Sequence, residues 1–245
     1  MVIFTPGVAP AHGADPMDDL SRLPFFRPFG RTELEPLTAV AHWRDFSAGQ
    51  TVLEAGDSTQ EVCFIAEGEL RVIARSSGGH EIILNELGPG SIFGEIATVD
   101  GEPRSATIVA LTRARVCAVA ASPFMTFALS TPGASHHLMR RLAALVRDKD
   151  LQLLELTVLP VRARLAALLL RLSRPREGGG RIVSPPRPHH ELASRIGARR
   201  EIVSRTLGAM RREGLLETTR GGIVLSRPEA LQTEVELSYG ARPGS

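Results

Sequence analysis

The sequence predicts an α+β chain with an N-terminal β-roll of jelly-roll type, a long dimerisation helix and a C-terminal winged helix-turn-helix. Three observations carry this. Short apolar runs punctuated by glycine fill residues 20–123, a helical seam follows Pro132-Gly133, and Gly197 separates two helical segments ahead of a hairpin pattern.

The first region contains Gln50-Thr51-Val52-Leu53-Glu54, Cys63-Phe64-Ile65, Leu70-Arg71-Val72-Ile73-Ala74 and Glu81-Ile82-Ile83-Leu84, each long enough for a strand and none for a stable helix. Turn signals lie between them at Ala48-Gly49, Gly56-Asp57, Glu67-Gly68, Gly78-Gly79 and Pro89-Gly90. Regularly spaced strands of this kind close into a roll or sandwich. Ahead of them, residues 1–19 are rich in Pro, Gly and Ala and read as disordered. The roll is expected over residues 20–133.

In the next segment Leu138, Leu142, Leu145, Lys149, Gln152 and Leu156 recur at 4-3-4-3-4 spacing, a seam suited to pairing with a second copy. A helix lying on its own domain, with Lys149 and Gln152 on the wet side, gives the same spacing. Val158-Leu159-Pro160 ends the helix, because the residue before a proline is pushed away from α geometry. Helix and hinge occupy residues 134–159. Val161 to Leu172 restarts as a helix, Arg181-Ile182-Val183 reads as a short strand or loop, and helices follow near 189–196 and 199–213. Leu215 to Leu225 reads as a hairpin with a Gly221-Gly222 turn, with Ile223 and its strand as the wing. This third domain is expected over 160–235, followed by a flexible tail at 236–245.

Charge is unevenly spread. Residues 1–157 hold 13 Lys+Arg against 19 Asp+Glu, whereas residues 158–227 hold 15 Arg against 5 Glu. A basic module behind an acidic one is the footprint of nucleic-acid binding. Cys63 and Cys117 sit in apolar runs and read as buried free thiols in a reducing compartment. Four clustered cysteines are absent, which argues against an iron–sulfur sensor. Neither a signal peptide nor a membrane span is evident, so the expected location is the cytoplasm. His136-His137 and His189-His190 form no catalytic or metal constellation, so neither enzyme activity nor a metal is expected.

In the helix pair, Leu192, Ile196, Ile202, Val203, Leu207 and Met210 fall where the two helices pack. Arg200, Glu201, Ser204 and Arg205 share one exposed face of the second helix. Arginine can grip guanine O6 and N7 together and a carboxylate accepts from cytosine N4, so this face offers base contacts. The segment resembles the recognition module of the CRP/FNR family, the catabolite-activator type of bacterial regulator, which is also a standard example of this docking geometry. Arg200, Glu201 and Arg205 fit the cyclic-AMP-binding branch; Glu201, Ser204 and Arg205 fit the oxygen-sensing branch. Half-sites resembling TGTGA or TTGAT both remain open.

Far upstream, Phe93-Gly94-Glu95-Ile96-Ala97 and Arg104-Ser105-Ala106-Thr107 combine a permissive glycine turn, a carboxylate for a sugar hydroxyl and a guanidinium fork for a phosphate. The pair resembles the phosphate-binding cassette of cyclic-nucleotide-binding domains. The resemblance implies that Glu95 holds the ribose 2′-hydroxyl and Arg104 the cyclic phosphate, with Gly94, Ile96, Ala97 and Ser105 lining the pocket. The family's adenine-facing pair on the dimer helix aligns with Lys149 and Asp150. Asp150 suits guanine, which offers two adjacent donors, so cyclic AMP and cyclic GMP both stand. The resemblance implies a homodimer on a palindromic double-stranded DNA operator, with RNA polymerase as a further partner. A regulator that works without a cyclic nucleotide, or through haem, gas or redox sensing, is the rival.

Overall fold

The computed structural model describes residues 20–75, 81–176 and 179–240. The expected disorder at 1–19, the Gly78-Gly79 turn, Glu177-Gly178 and the last part of the tail lie outside them. The chain divides into two compact units, residues 1–143 and 144–245, each described by itself below.

In the first unit, α1 (Arg31–Thr38) precedes β1 (His42–Phe46), β2 (Thr51–Leu53), β3 (Glu61–Glu67), β4 (Leu70–Arg75), β5 (Glu81–Leu87) and β6 (Ile92–Phe93). Then come α2 (Glu95–Asp100), β7 (Thr107–Ala110), β8 (Ala114–Ala120), α3 (Ala121–Ser130) and the start of α4 (Ala134–Val158). The strands form two four-stranded sheets, ordered β1-β8-β3-β6 and β2-β7-β4-β5, joined antiparallel throughout. The expected β-roll is therefore present, with helices α1 and α2 inside the stretch that reads as strands in sequence and α3 closing it.

Alternation along two central strands explains both layers. In β3, Cys63 and Ile65 point into the core shared with the other sheet, beside Leu70, Leu87, Ile108 and Val116. Val62 and Phe64 point the opposite way, into a helical layer with Phe26, Leu34, Phe124 and Leu138. Its partner β8 repeats the division, with Phe64 opposite Cys117 and Ile65 opposite Val116. A strand buried on both faces loses the polar alternation of a half-exposed one. Phe64 is the keystone of the outer layer: its ring centroid lies 4.6 Å from Phe26 and 5.4 Å from Phe25.

Leu138 is only 6% exposed and belongs to that layer, and Leu142 packs against it. The seam read from the sequence thus spends its first turns inside its own domain. The large apolar residues that α4 leaves exposed include Met139, Val146 and Leu153, seven residues apart, and Leu156. Met139, Val146 and Leu153 each lie one residue beyond the expected Leu138, Leu145 and Gln152, whereas Leu156 belongs to the expected seam; Leu138 serves the domain core instead.

In the second unit, α5 (Val161–Leu172) leads to β9 (Arg174–Pro175), β10 (Arg181–Val183), α6 (His189–Arg195), α7 (Arg200–Arg212), β11 (Leu216–Thr219), β12 (Gly222–Leu225) and α8 (Pro228–Ser238). The strands form one antiparallel sheet ordered β11-β12-β10-β9. Ala163 and the run Leu165 to Leu169 are buried, so α5 is the central rod of this core. Arg162 ties the rod to its neighbours, donating from Nε to Glu234 of α8 at 2.6 Å and from Nη1 to Glu213 at 2.9 Å.

Three expectations are corrected here. Ile223 is 3% exposed and belongs to the core, so the exposed part of the wing is Thr218, Thr219, Arg220 and Gly221 instead. The hairpin turn is Arg220-Gly221, with Gly222 already in β12. Residues 236–238 are the last turn of α8, anchored by buried Leu231 and Val235, so the flexible tail cannot start at 236. Among the described residues no helix is long and apolar enough to cross a membrane.

Gly222 has φ +150°, and a Cβ there would lie 2.1 Å from the carbonyl oxygen of Val183. Gly222→Ala is therefore expected to destabilise the second unit by roughly 1–3 kcal/mol, measured by urea denaturation. An unchanged midpoint would show that β10 and β12 are not packed as described.

Candidate nucleotide and nucleic-acid sites

The upstream motif folds into one compact constellation. Gly94 ends β6 in the left-handed region at φ +77° and starts α2. A Cβ on it would meet Nη1 of Arg104 and the carbonyl oxygen of Glu61, each at 2.7 Å, so only glycine fits between them. Arg104 is 4% exposed. Its Nη1 donates to Gly94 O at 3.0 Å, Nη2 to Glu61 O at 2.9 Å and Nε to Thr59 Oγ1 at 3.3 Å. The backbone of Arg104 is clamped as well, donating to Asp57 O at 2.9 Å and accepting from Gly56 N–H at 2.8 Å. Three of the five guanidinium N–H groups are used by the protein, leaving one on each Nη for an anion's oxygens.

Glu95, the first residue of α2, is 5% exposed. Burial raises its pKa above the usual carboxylate range, opposed by a hydrogen bond from its own backbone and by the charges of Arg141 and Arg104. Burial also lowers the pKa of Arg104. A buried carboxylate within electrostatic range of a buried guanidinium can accept a hydroxyl and hold an anion. Ala97 is buried, whereas Ile96 is 40% exposed and Ser105 is exposed. Cys63, beneath them, is a buried free thiol whose pKa is pushed up to about 12 by desolvation. Among the described residues, no cluster of His, Cys, Asp and Glu could hold a metal ion.

Arg141 of α4 escapes sequence reasoning. It reaches Ile92 O with Nη2 at 3.4 Å, and its Nε is buried without a partner. No local motif marks it, since its relation to Glu95 spans 46 positions of chain. Thr59 and Thr98 likewise belong to the constellation; Thr98 Oγ1 donates to Gly94 O at 3.0 Å. Lys149 and Asp150 lie in α4 within the second unit. Lys149 Nζ donates to Gln152 Oε1 at 3.0 Å, and Asp150 is exposed. Their base-facing assignment rests on sequence alone.

The second constellation is built on α6 and α7. Gly197, at φ +59°, makes the turn between them, and Arg164 Nη1 from α5 donates to Ile196 O at 2.7 Å. Within α6, Glu191 is 6% exposed and lies between Arg187 at 3.0 Å and Arg195 at 3.4 Å. A buried carboxylate needs such partners, and here they join the first helix to the segment that leads into it. Val203, Leu207 and Met210 bury one face of α7 against Leu192 and Ile196. Ile202 stays half-buried outside the core, unlike the expectation. On the opposite face Arg200, Glu201 and Arg205 are exposed and Ser204 is half-buried, so the four predicted residues are brought together. His189, at the start of α6, contacts Ser204 Oγ through Nδ1 at 2.7 Å.

Comparison with known proteins finds one domain family over each of the two regions. A cyclic nucleotide-binding domain family matches residues 43–130, and a Crp-like helix-turn-helix domain family matches residues 163–234. The chain is 31% identical over 217 residues to a cyclic AMP receptor protein of Thermus thermophilus, covering 89% of this chain and 97% of that one. It is 27% identical to a CRP-like cAMP-activated global transcriptional regulator of Mycobacterium tuberculosis, over 88% of this chain and 98% of the relative. Among solved structures, a CRP-family transcriptional regulator from Thermus thermophilus superposes with a TM-score of 0.65 at 29% identity, over 78% of this chain and 96% of that chain. Such relatives are regulators rather than enzymes. The chain belongs to the CRP/FNR family of transcription regulators, with a cyclic-nucleotide-binding domain followed by a Crp-like helix-turn-helix.

Proposed function

We propose that the protein is a homodimer in which a purine cyclic mononucleotide, cyclic AMP or cyclic GMP, raises affinity for a palindromic DNA operator. The observation that carries this reading is Arg104, buried and held in place by backbone carbonyls beside Glu95. Its two remaining N–H groups match two oxygens of a cyclic phosphate, and the Glu95 carboxylate accepts the ribose hydroxyl. Gly94, Ile96, Ala97 and Ser105 complete the wall. The exposed line Met139, Val146, Leu153 and Leu156 on α4 is the dimer seam, a heptad spacing that a second copy would cover. Arg200, Glu201, Ser204 and Arg205 then enter successive major grooves, RNA polymerase being the downstream partner in the cytoplasm. The net positive charge of the second unit favours this over a bare packing hairpin.

For the base, two observations point in different directions. Several relatives are named for cyclic AMP. The exposed Asp150 carboxylate, with Lys149 beside it, instead suits the N1–H and N2–H pair of guanine. A structural neighbour from Xanthomonas campestris is described as responsive to cyclic di-GMP, at 22% identity. Calorimetry with cyclic AMP, cyclic GMP and cyclic di-GMP tests the reading; heat from none of them leaves a family member that works without a cyclic nucleotide.

Arg104→Leu is expected to lower nucleotide affinity at least about tenfold, since a charge-assisted fork is lost and the phosphate is left unmatched. The Glu95 carboxylate accepts the hydroxyl most strongly when ionised, and its pKa is raised by burial. Affinity should therefore fall as pH drops through a range above the usual carboxylate value, with a proton released on binding there. Glu95→Gln should flatten that dependence. A pH-independent affinity in the parent protein would place the sugar elsewhere.

Asp150→Ser should shift the ratio of dissociation constants from cyclic GMP toward cyclic AMP. A constant ratio would remove Asp150 from the base site.

Arg205→Ala should cost about 1–3 kcal/mol on the selected operator and relax preference at one guanine per half-site, with half-sites about one helical turn apart. If every sequence weakens equally and only the salt slope falls, Arg205 touches phosphate alone.

A further inference from the structure

We propose that His189 is a positioning residue for base recognition, holding the Ser204 hydroxyl toward the groove so that the pair, and not Ser204 alone, sets one position of the DNA preference. This rests on the reading that α7 enters the major groove.

The observation is a departure from a local habit. A hydroxyl within a helix usually satisfies itself by donating to the carbonyl four residues back. Thr206, two positions on in α7, does so to Ile202 at 2.8 Å. Thr126, Ser130, Thr233 and Ser238 do the same in their helices, at 2.7–2.9 Å. Ser204 does not follow them. Its Oγ sits 2.7 Å from Nδ1 of His189, a full-strength hydrogen bond across two helices.

That bond changes what Ser204 can do. A hydroxyl turned back on its own helix is a poor base reader, because its proton is spent on the backbone. One held sideways by an imidazole keeps a lone pair, or a proton, directed away from α7. It also keeps one rotamer, so little freedom is lost when a base edge arrives. Ser204 lies one turn from Arg200 and three residues from Glu201, in the middle of the face that those residues and Arg205 form. His189 is itself half-buried, at the first position of α6, which is docked by buried Leu192 and Ala193 and by the bond from Arg164 to Ile196 O just beyond its end. The imidazole is therefore anchored on a helix that does not itself present the reading face.

The test is selection of binding sites from a randomised library with the full-length parent, Ser204→Ala, His189→Phe and the double variant, each with its saturating nucleotide. His189→Phe keeps the ring and removes the hydrogen bond, and thermal melts confirm that every variant folds. The expected result is that both single variants lose preference at the same one base pair per half-site, by about threefold to tenfold, as for a hydrogen bond forgone. Preferences set by Arg200, Glu201 and Arg205 should persist, and the double variant should lose no more than either single one. A His189→Phe consensus identical to that of the parent, or losses that simply multiply in the double variant, would overturn the role of His189 while leaving groove reading intact. A parent protein that selects no consensus would remove the groove reading and this proposal with it.

Discussion

The first unit is organised around the need to satisfy one buried charge. A guanidinium as enclosed as that of Arg104 is tolerated only where donors find acceptors, since desolvating an unmatched cation costs several kcal/mol. The chain supplies those acceptors from three separate places: Thr59 before β3, Glu61 at its start and Gly94 at the turn after β6. The requirement propagates. Gly94 must lack a side chain to let Arg104 approach, Gly56 and Asp57 must hold its backbone, and Thr98 shares the same Gly94 carbonyl. What the protein leaves unsatisfied on this group is what an anion can satisfy, so the interaction that staples the roll is also the one on which the proposed ligand site rests.

The second unit meets an analogous demand differently. Glu191 is a buried carboxylate between two arginines, and Arg164 caps the turn at Ile196. These contacts fix α6, and the apolar line Val203, Leu207 and Met210 fixes α7 on it. Among the described residues, the exposed face of α7 has only light structural duty: the bond between Ser204 and His189, and a long one from Arg205 Nε to Glu201 O at 3.4 Å. Each unit has its own core; α4 places Leu138 in the first, and the chain after Ala143 belongs to the second unit, whose core begins at Leu159 just beyond the helix. A helix shared in this way is a natural carrier of a two-state change, although coupling is defined by free energy and not by continuity of chain.

Much of this is legible in the sequence, and the reasons for success and failure are physical. Glycine positions marked the roll because positive φ admits few alternatives, as at Gly49, Gly56, Gly68, Gly90 and Gly94. Local spacing located the recognition face, since residues three and four apart must share a helix side. Periodicity misled where burial is two-sided or shared. The segment Val62 to Ile65 is apolar throughout because it faces two cores, and Leu138 looked like a seam residue because a domain core and a partner helix demand the same residue type. Helix α1 contains Pro36 and α2 is six residues long, so neither carries a readable period. Ile223 was read as wing surface, yet β12 is the inner strand of that hairpin. Arg141 near Glu95 and His189 on Ser204 could not be read at all, because pairings across the fold leave no local signature.

The central claim is that the nucleotide site and the DNA site are thermodynamically coupled. The most direct measurement is the reciprocal pair: the dissociation constant for the selected operator with and without saturating nucleotide, and that for the nucleotide with and without saturating operator. The account predicts that each ligand tightens the other by the same factor, about 5- to 150-fold for a typical coupling. Nucleotide binding that leaves operator affinity unchanged would contradict it.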